Sequence, residues 1–297
     1  MDWRDHPEKT QEWYDIERAR YERNGVLHLF AQEVDRDASA AVEGVIIPDL
    51  WVKSAINAHV RLNFKGDGAS TAALDVADEG GDRNSYAQRK GVILKYLASW
   101  AEGDTGQTAR KAVILSKARA VSELQYDPIG VGAGVKAETN RMKVDGSLTK
   151  HFKITQWHAG HNPLHPERHI LLDENGKQDI HSPKNKDFYR NLKAQGWWEL
   201  RLRFEKTYKA IKHKNEHPEK ELLYPEEELI SIPSDLDEFH ELIMELSQPT
   251  YGDNGKGQLI VNKKPDGTKS PNRADSVMML MWPEDRTFVA GPLLGVR

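Results

Sequence analysis

The residues of this chain best suited to chemistry are acids placed where an acid is costly. Ser70 to Val76 alternates small and apolar residues as a buried strand does, then runs into Asp75, Asp78, Glu79 and Asp82 beside the turn-forming Gly80-Gly81 pair. A carboxylate within an apolar strand is expensive unless a positive charge sits beside it. Asp75 is therefore read as a ligand for a divalent cation, and its partners are sought elsewhere. Asp127 ends the run Glu123-Leu-Gln-Tyr-Asp127, and Asp275 stands in Asn272-Arg-Ala-Asp275-Ser ahead of an apolar helix. Taken singly, an Asp is more often a turn or cap residue. Three carboxylates brought within a few ångströms repel one another and make sense only with cations present. Oxygen ligands favour Mg²⁺ or Mn²⁺ over zinc. Two such ions about 3.5–4 Å apart activate a water and stabilise the leaving oxygen in phosphodiester hydrolysis.

The surrounding pattern must bring these acids together. Strands are expected over Ser70–Val76, Ser85–Lys90 and Val92–Trp100, antiparallel because their connections are short. A helix TGQTARKAVILSKARA with Ala109, Val113, Ile114 and Ala118 on one face leads to a fourth strand, Glu123–Asp127, which the helical crossover allows to run parallel. A helix through Arg141, a fifth strand His151–Trp157, a long helix Asp187–Lys212, a helix N-capped by Ser234, a hairpin Tyr251–Lys264 and a last helix Pro271–Met281 complete the order. If the first and fourth strands are neighbours, Asp75 and Asp127 reach the same end of one sheet, and the late helix brings Asp275. The first sixty residues, with a helix over Trp3–Asn24, carry no catalytic grouping and read as a leader packed against the main domain.

The chain has 297 residues, 38% hydrophobic and 30% charged, enough for one large core or two modest ones. No apolar run is long enough to span a membrane and the charged start MDWRDHPEKT is no secretion signal, so a cytosolic setting is expected. The absence of cysteine excludes disulfides, thiol catalysis and Cys-based zinc motifs. A net charge of -4 does not advertise nucleic-acid binding. The basic stretch from Lys184 to Lys214, however, is compatible with a phosphate-facing surface, or equally with a solvated helix laced by ion pairs. Lys193 lies in it, and the Arg201 and Arg203 pair on the long helix is read as a DNA contact. Trp197 and Trp198 read as packing. Gly130-x-Gly132-x-Gly134 is a poor match to the dinucleotide fingerprint, and Pro163 and Pro166 break any helix that would align His158, His161, His165 and His169.

The pieces ALDVADEGGDRNS, YDPIGVGAGV, YRNLKAQGWWELRLRF and NRADSVMMLMW, in this order, resemble the nuclease domain of the large terminase subunit of tailed bacteriophages. WRDHPEKTQEWYDIERAR and AQEVDRDASAAVEGVIIPDLW resemble the segment joining that family's ATPase to its nuclease. The resemblance implies an α/β, ribonuclease H-like fold and metal-dependent cutting of concatemeric double-stranded DNA during genome packaging in the bacterial host cytoplasm. It matches Asp75, Asp127 and Asp275 to the metal-binding acids, with Asp78 and Asp82 as helpers. It divides the chain into a junction segment, residues 1–60, and a nuclease domain, residues 61–297. A small terminase subunit and a portal protein are implied as partners only by this resemblance. No G-x-x-x-x-G-K-[ST] loop is present; Tyr251-Gly-Asp-Asn-Gly-Lys256-Gly-Gln lacks the Ser or Thr, so the ATPase motor is expected to be missing. A junction resolvase or transposase-type nuclease shares the fold and triad, and a non-catalytic DNA or portal docking module is the rival of another class.

Overall fold

The computed structural model describes residue 3 and residues 8–23, 44–77, 82–128, 132–149, 152–173 and 177–282. Within them, helix α1 (Gln11–Arg23) is followed by strand β1 (Gly44–Val45) and helices α2 (Asp49–Ala55) and α3 (Ala58–Arg61). Strands β2 (Ser70–Asp75), β3 (Asn84–Lys90) and β4 (Ile93–Trp100) come next. Helix α4 (Thr105–Ala118), strand β5 (Glu123–Tyr126), helix α5 (Gly132–Val144) and strand β6 (Lys153–Gln156) follow. The chain then forms the single turn α6 (Asn185–Phe188), the long α7 (Leu192–Glu216) and α8 (Phe239–Leu246). Hairpin strands β7 (Thr250–Asp253) and β8 (Leu259–Asn262) lead to helix α9 (Asn272–Leu280). The run VLHLFAQEVD at residues 26–35, whose pattern suits a strand or a short helix, and the acids Asp78 and Glu79 lie outside the described residues.

The main sheet has the order β4-β3-β2-β5-β6, with β2, β3 and β4 antiparallel and β5 and β6 parallel to β2. This is the ribonuclease H-like mixed sheet expected from the sequence. Gly91 makes the tight β3–β4 turn possible: its φ is +54°, and a Cβ there would lie 2.7 Å from the Gly66 carbonyl carbon. Helices cover both faces. Alternation along β2 sends Ala72 and Leu74 toward α4 and α5, while Ala73 joins a core built with α7, α8 and α9. Ile46, Ile47, Val52 and Ala55 belong to that second core, so residues 46–55 are built into it. β1 also pairs with β7, completing a three-stranded sheet β1-β7-β8.

Helix starts differ from expectation, and α1 begins at Gln11 rather than at Trp3. The long helix begins at Leu192, capped by Asn191, whose side chain accepts from the Ala194 amide at 2.9 Å; Asp187 sits instead in α6. Ser234 is not an N-cap. Its hydroxyl accepts from Asn57 at 2.8 Å, and α8 begins at Phe239, after Glu238 in a left-handed conformation at φ +58°.

Candidate functional site

β2 and β5 are parallel neighbours with Leu74 opposite Tyr126, so the chain emerges from both at the same sheet edge, through Asp75 and Asp127. Side chains alternate along a strand, so Asp75 shares a face with Ala73, the face that packs against α9. Asp127 follows Tyr126, which belongs to the opposite core. Helix α9 packs across this face and carries Asp275 in its first turn, where the Asp275 amide donates to the Pro271 carbonyl at 2.8 Å. Asp75, Asp127 and Asp275 line one cavity of about 280 Å³ together with Asn191, Lys193 and Lys263.

The cavity is electrostatically unbalanced. Burial, then the neighbouring Asp275 charge, pushes the Asp75 carboxyl well above its ordinary value; Asp127 and Asp82 add to this, and Lys263 only partly opposes it. Asp275 is only 3% exposed, and each of its carboxylate oxygens has a donor. Trp197 Nε1 donates to Oδ1 at 3.2 Å, and Lys263 Nζ donates to Oδ2. Burial works against the Lys263 charge, but Asp275 and Asp75 outweigh it and hold the ammonium above its ordinary value. Lys193 goes the other way, lowered by burial and by the Lys263 charge. Among the described residues no three carboxylate or imidazole groups converge on one point as they stand. The donor set nonetheless fits a hard divalent cation: it is all oxygen, and it includes a buried carboxylate whose charge lacks a sufficient counter-charge.

Lys193 lies at the cavity, whereas Arg201 and Arg203, expected from the sequence to contact DNA, do not line it. Arg203 is 8% exposed and donates to the main-chain carbonyls of Glu227 at 2.5 Å and Leu229 at 3.2 Å. Arg201 donates to the Ile46 carbonyl, and its guanidinium lies 4.7 and 4.9 Å from the rings of Trp51 and Trp198. Burial lowers the pKa of both. Much of the remaining basic stretch is ion-paired: Lys184 and Lys186 with Glu167, Lys206 with Glu228, Lys209 with Glu205. Asp82, half exposed, meets Lys264 at 3.4 Å. His158 and His161 stack with ring centroids 4.1 Å apart. Lys263 escaped the sequence reading. Its only signal is its place just after β8, in the last hairpin before the helix that carries Asp275.

No family model matches the chain, and no curated protein matches it. Solved structures do. The nuclease domain of the large terminase subunit gp2 of bacterial virus Sf6 is 26% identical, covers 81% of this chain and 100% of its own length, and superposes with a TM-score of 0.68. The chain resembles a phage terminase nuclease domain. A K428A mutant of the Sf6 domain with manganese and β-thujaplicinol aligns at 27% identity over the same shares, also at a TM-score of 0.68. The same mutant with calcium aligns at 26% identity and a TM-score of 0.68. The terminase resemblance carried by the sequence motifs is thus borne out at the level of the fold. No helix among the described residues is long and apolar enough to cross a membrane.

Proposed function

We propose that this chain is a metal-dependent endonuclease that cuts double-stranded phage DNA concatemers during genome packaging, in the cytoplasm of the bacterial host. One observation chiefly supports this reading: Asp75, Asp127 and Asp275, from two parallel strands and a crossing helix, line a single cavity in a fold like that of the Sf6 terminase nuclease domain. Structures of the Sf6 domain with manganese and with calcium add support for a divalent cation.

In the proposed mechanism Asp75, Asp127 and Asp275 would hold two Mg²⁺ or Mn²⁺ ions, whose chemistry when bound would be Lewis-acid polarisation of the phosphodiester and activation of water at neutral pH. Everything else falls to the chain itself. Lys193 and Lys263 offer positive charge at the cavity to a phosphate whose negative charge grows during attack. Asp275 accepts from an indole N–H on Oδ1 and an ammonium on Oδ2, which fix the orientation of its carboxylate. Residues 1–60 are proposed to form the junction to an ATPase motor and residues 61–297 the nuclease domain. A small terminase subunit and a portal protein are the partners the reading implies.

The test is plasmid cleavage by the purified chain with Mg²⁺, Mn²⁺ or EDTA, with wild type beside Asp75→Ala. Cutting that needs the metal and disappears in the variant is the expected result. Wild-type protein that binds duplex DNA but cuts with neither metal overturns independent catalysis. Selective cutting of branched DNA would instead favour a resolvase.

A further inference from the structure

Trp197 is fully buried in α7, packed in the core between the sheet and α9. An indole N–H in such surroundings needs an acceptor, and apolar packing supplies none. Its acceptor is a carboxylate lining the cavity, Oδ1 of Asp275 at 3.2 Å. The close approach of the helices allows this contact: a Cβ on the adjoining Gly196 would lie 2.6 Å from Met278 Sδ and 3.2 Å from Trp157 Cζ2.

The backbone around Asp275 is already fixed from two other directions. The Ser276 hydroxyl lies 2.9 Å from that of Ser85, which is the cross-strand partner of Asp75. The Glu245 carboxylate accepts from the Arg273 and Ala274 amides at 2.7 and 3.1 Å, capping α9 from a neighbouring helix. These contacts set where the Asp275 main chain stands. They do not set the rotation of its carboxylate. That freedom is addressed by Trp197 on Oδ1 and by Lys263 on Oδ2. The two donors differ in kind, because a lysine ammonium on a four-carbon stem can swing away whereas a packed indole cannot.

We propose that Trp197 is a positioning residue for metal binding: its indole N–H holds Oδ1 of Asp275 and thereby turns Oδ2 into the cavity toward a divalent cation. This rests on the metal reading above. Groups that orient a ligating carboxylate affect affinity nearly as strongly as the ligands themselves. The cost of losing Trp197 therefore falls on the metal-binding step rather than on DNA affinity.

The experiment measures Mn²⁺ binding to the full chain by electron paramagnetic resonance, for wild type, Trp197→Phe and Trp198→Phe, alongside thermal melts in EDTA. Trp198 is the internal control: it is the next residue of the same helix, 1% exposed, and packs edge-on against Phe188 and Tyr251 in a different cluster. Trp197→Phe is expected to weaken Mn²⁺ binding roughly 10- to 100-fold, with cleavage recovering at high Mn²⁺, while Trp198→Phe lowers the melting temperature but leaves the binding curve in place. Unchanged Mn²⁺ binding in Trp197→Phe overturns the proposal, as does an equal loss in both variants, which would mark general loosening of the core. If Trp197→Phe does not melt cooperatively, β-(3-benzothienyl)alanine at position 197 keeps the ring shape, replaces the N–H by sulfur and carries the same two outcomes. Wild-type protein that binds no Mn²⁺ overturns the metal reading and this inference together. Wild-type binding matched by the variant overturns this inference alone.

Discussion

Helix α9 joins two clusters of carboxylates and cations that solve the same problem in opposite ways. On one side Arg273 donates Nε to Glu238 and Nη1 to Glu245, both at 2.5 Å, and the Ser99 amide and hydroxyl donate to Glu238 at 2.9 and 2.6 Å. Glu245 also accepts the first amides of the helix. Burial works against the Glu238 charge, yet its hydrogen bonds from Ser99 and Arg273 hold the carboxyl below its ordinary value. Two residues further along the helix, Asp275 faces Asp75 and Asp127 across a cavity, and burial with like charge drives the Asp75 carboxyl well up. Both clusters combine carboxylates with basic side chains, glutamates with an arginine in the first and aspartates with lysines in the second. The first cluster is hydrogen-bonded throughout, although burial still raises the Glu245 carboxyl above its ordinary value, and it is architectural; the second carries like charges that the fold only partly neutralises and so suits a site that takes up a cation.

Removing a group should thus have opposite consequences in the two places. Asp75→Asn is expected to abolish cutting, by at least about 10²-fold, yet to raise the melting temperature in EDTA by a few degrees because like-charge repulsion is relieved. Activity assays beside calorimetry check both halves. An unchanged or lower melting temperature in EDTA would show that the cavity is neutralised without a cation. Arg273→Met should do the reverse, leaving two partly buried carboxylates without their cation. A loss of about 3 kcal/mol, or roughly 6–12 °C in melting temperature, is expected from urea and thermal denaturation. The variant should still cut below its melting point.

The pH dependence sharpens the same contrast. A carboxyl whose folded pKa is raised binds its proton more tightly in the folded state, so the folded state loses stability as pH climbs from the unfolded pKa toward the folded one. For Asp75 that loss begins near the ordinary carboxyl range and extends upward from it. Glu238, with a lowered pKa, has the opposite sign: its contribution is present above the ordinary range and disappears as pH falls through the folded value. Melting curves in EDTA should therefore show wild type falling behind Asp75→Asn as pH rises. Saturating Mn²⁺ should close the gap between pH values for wild type. A constant difference between the two proteins across pH would break this account.

The strand-borne acids were legible in the sequence because a strand interrupted by a carboxylate is anomalous in itself, and the order of short and helical connections fixed which strands could be parallel. Asp275 was legible for the same reason, as an acid opening an apolar helix. The cationic half of the site was not. Lys263 has no local anomaly, since a lysine after a short hairpin strand is ordinary, and its relation to Asp275 exists only after folding. The surroundings of the two arginines were not legible for a related reason. Helix α7 is covered on most sides, by β8, α2 and α9 among others, so it has no single solvent face from which exposed charges could be read. Trp197 and Trp198, read from the sequence as packing, are indeed both buried, but their assignment to two different clusters exists only after folding. Glu238 reaches Ser99 across 139 residues of sequence, a separation that no local pattern reports.

The smallest effect separates the two kinds of cation on α7. Each protein charge that neutralises a DNA phosphate contributes about 0.9 to the slope of log affinity against log salt. Lys193, at the cavity beside the aspartates, can meet a phosphate; Arg203, committed to two main-chain carbonyls, cannot. Lys193→Ala should therefore flatten the slope by about one phosphate's share, with little change in melting temperature. Arg203→Gln should leave the slope alone and lower the melting temperature, because the carbonyls of Glu227 and Leu229 lose their donor. Fluorescence anisotropy on a duplex in catalytically inactive Asp75→Ala background, titrated with salt, distinguishes them. A slope that responds to Arg203→Gln and ignores Lys193→Ala would mean that α7 presents its arginines to DNA after all, through a rearrangement that frees them from the core.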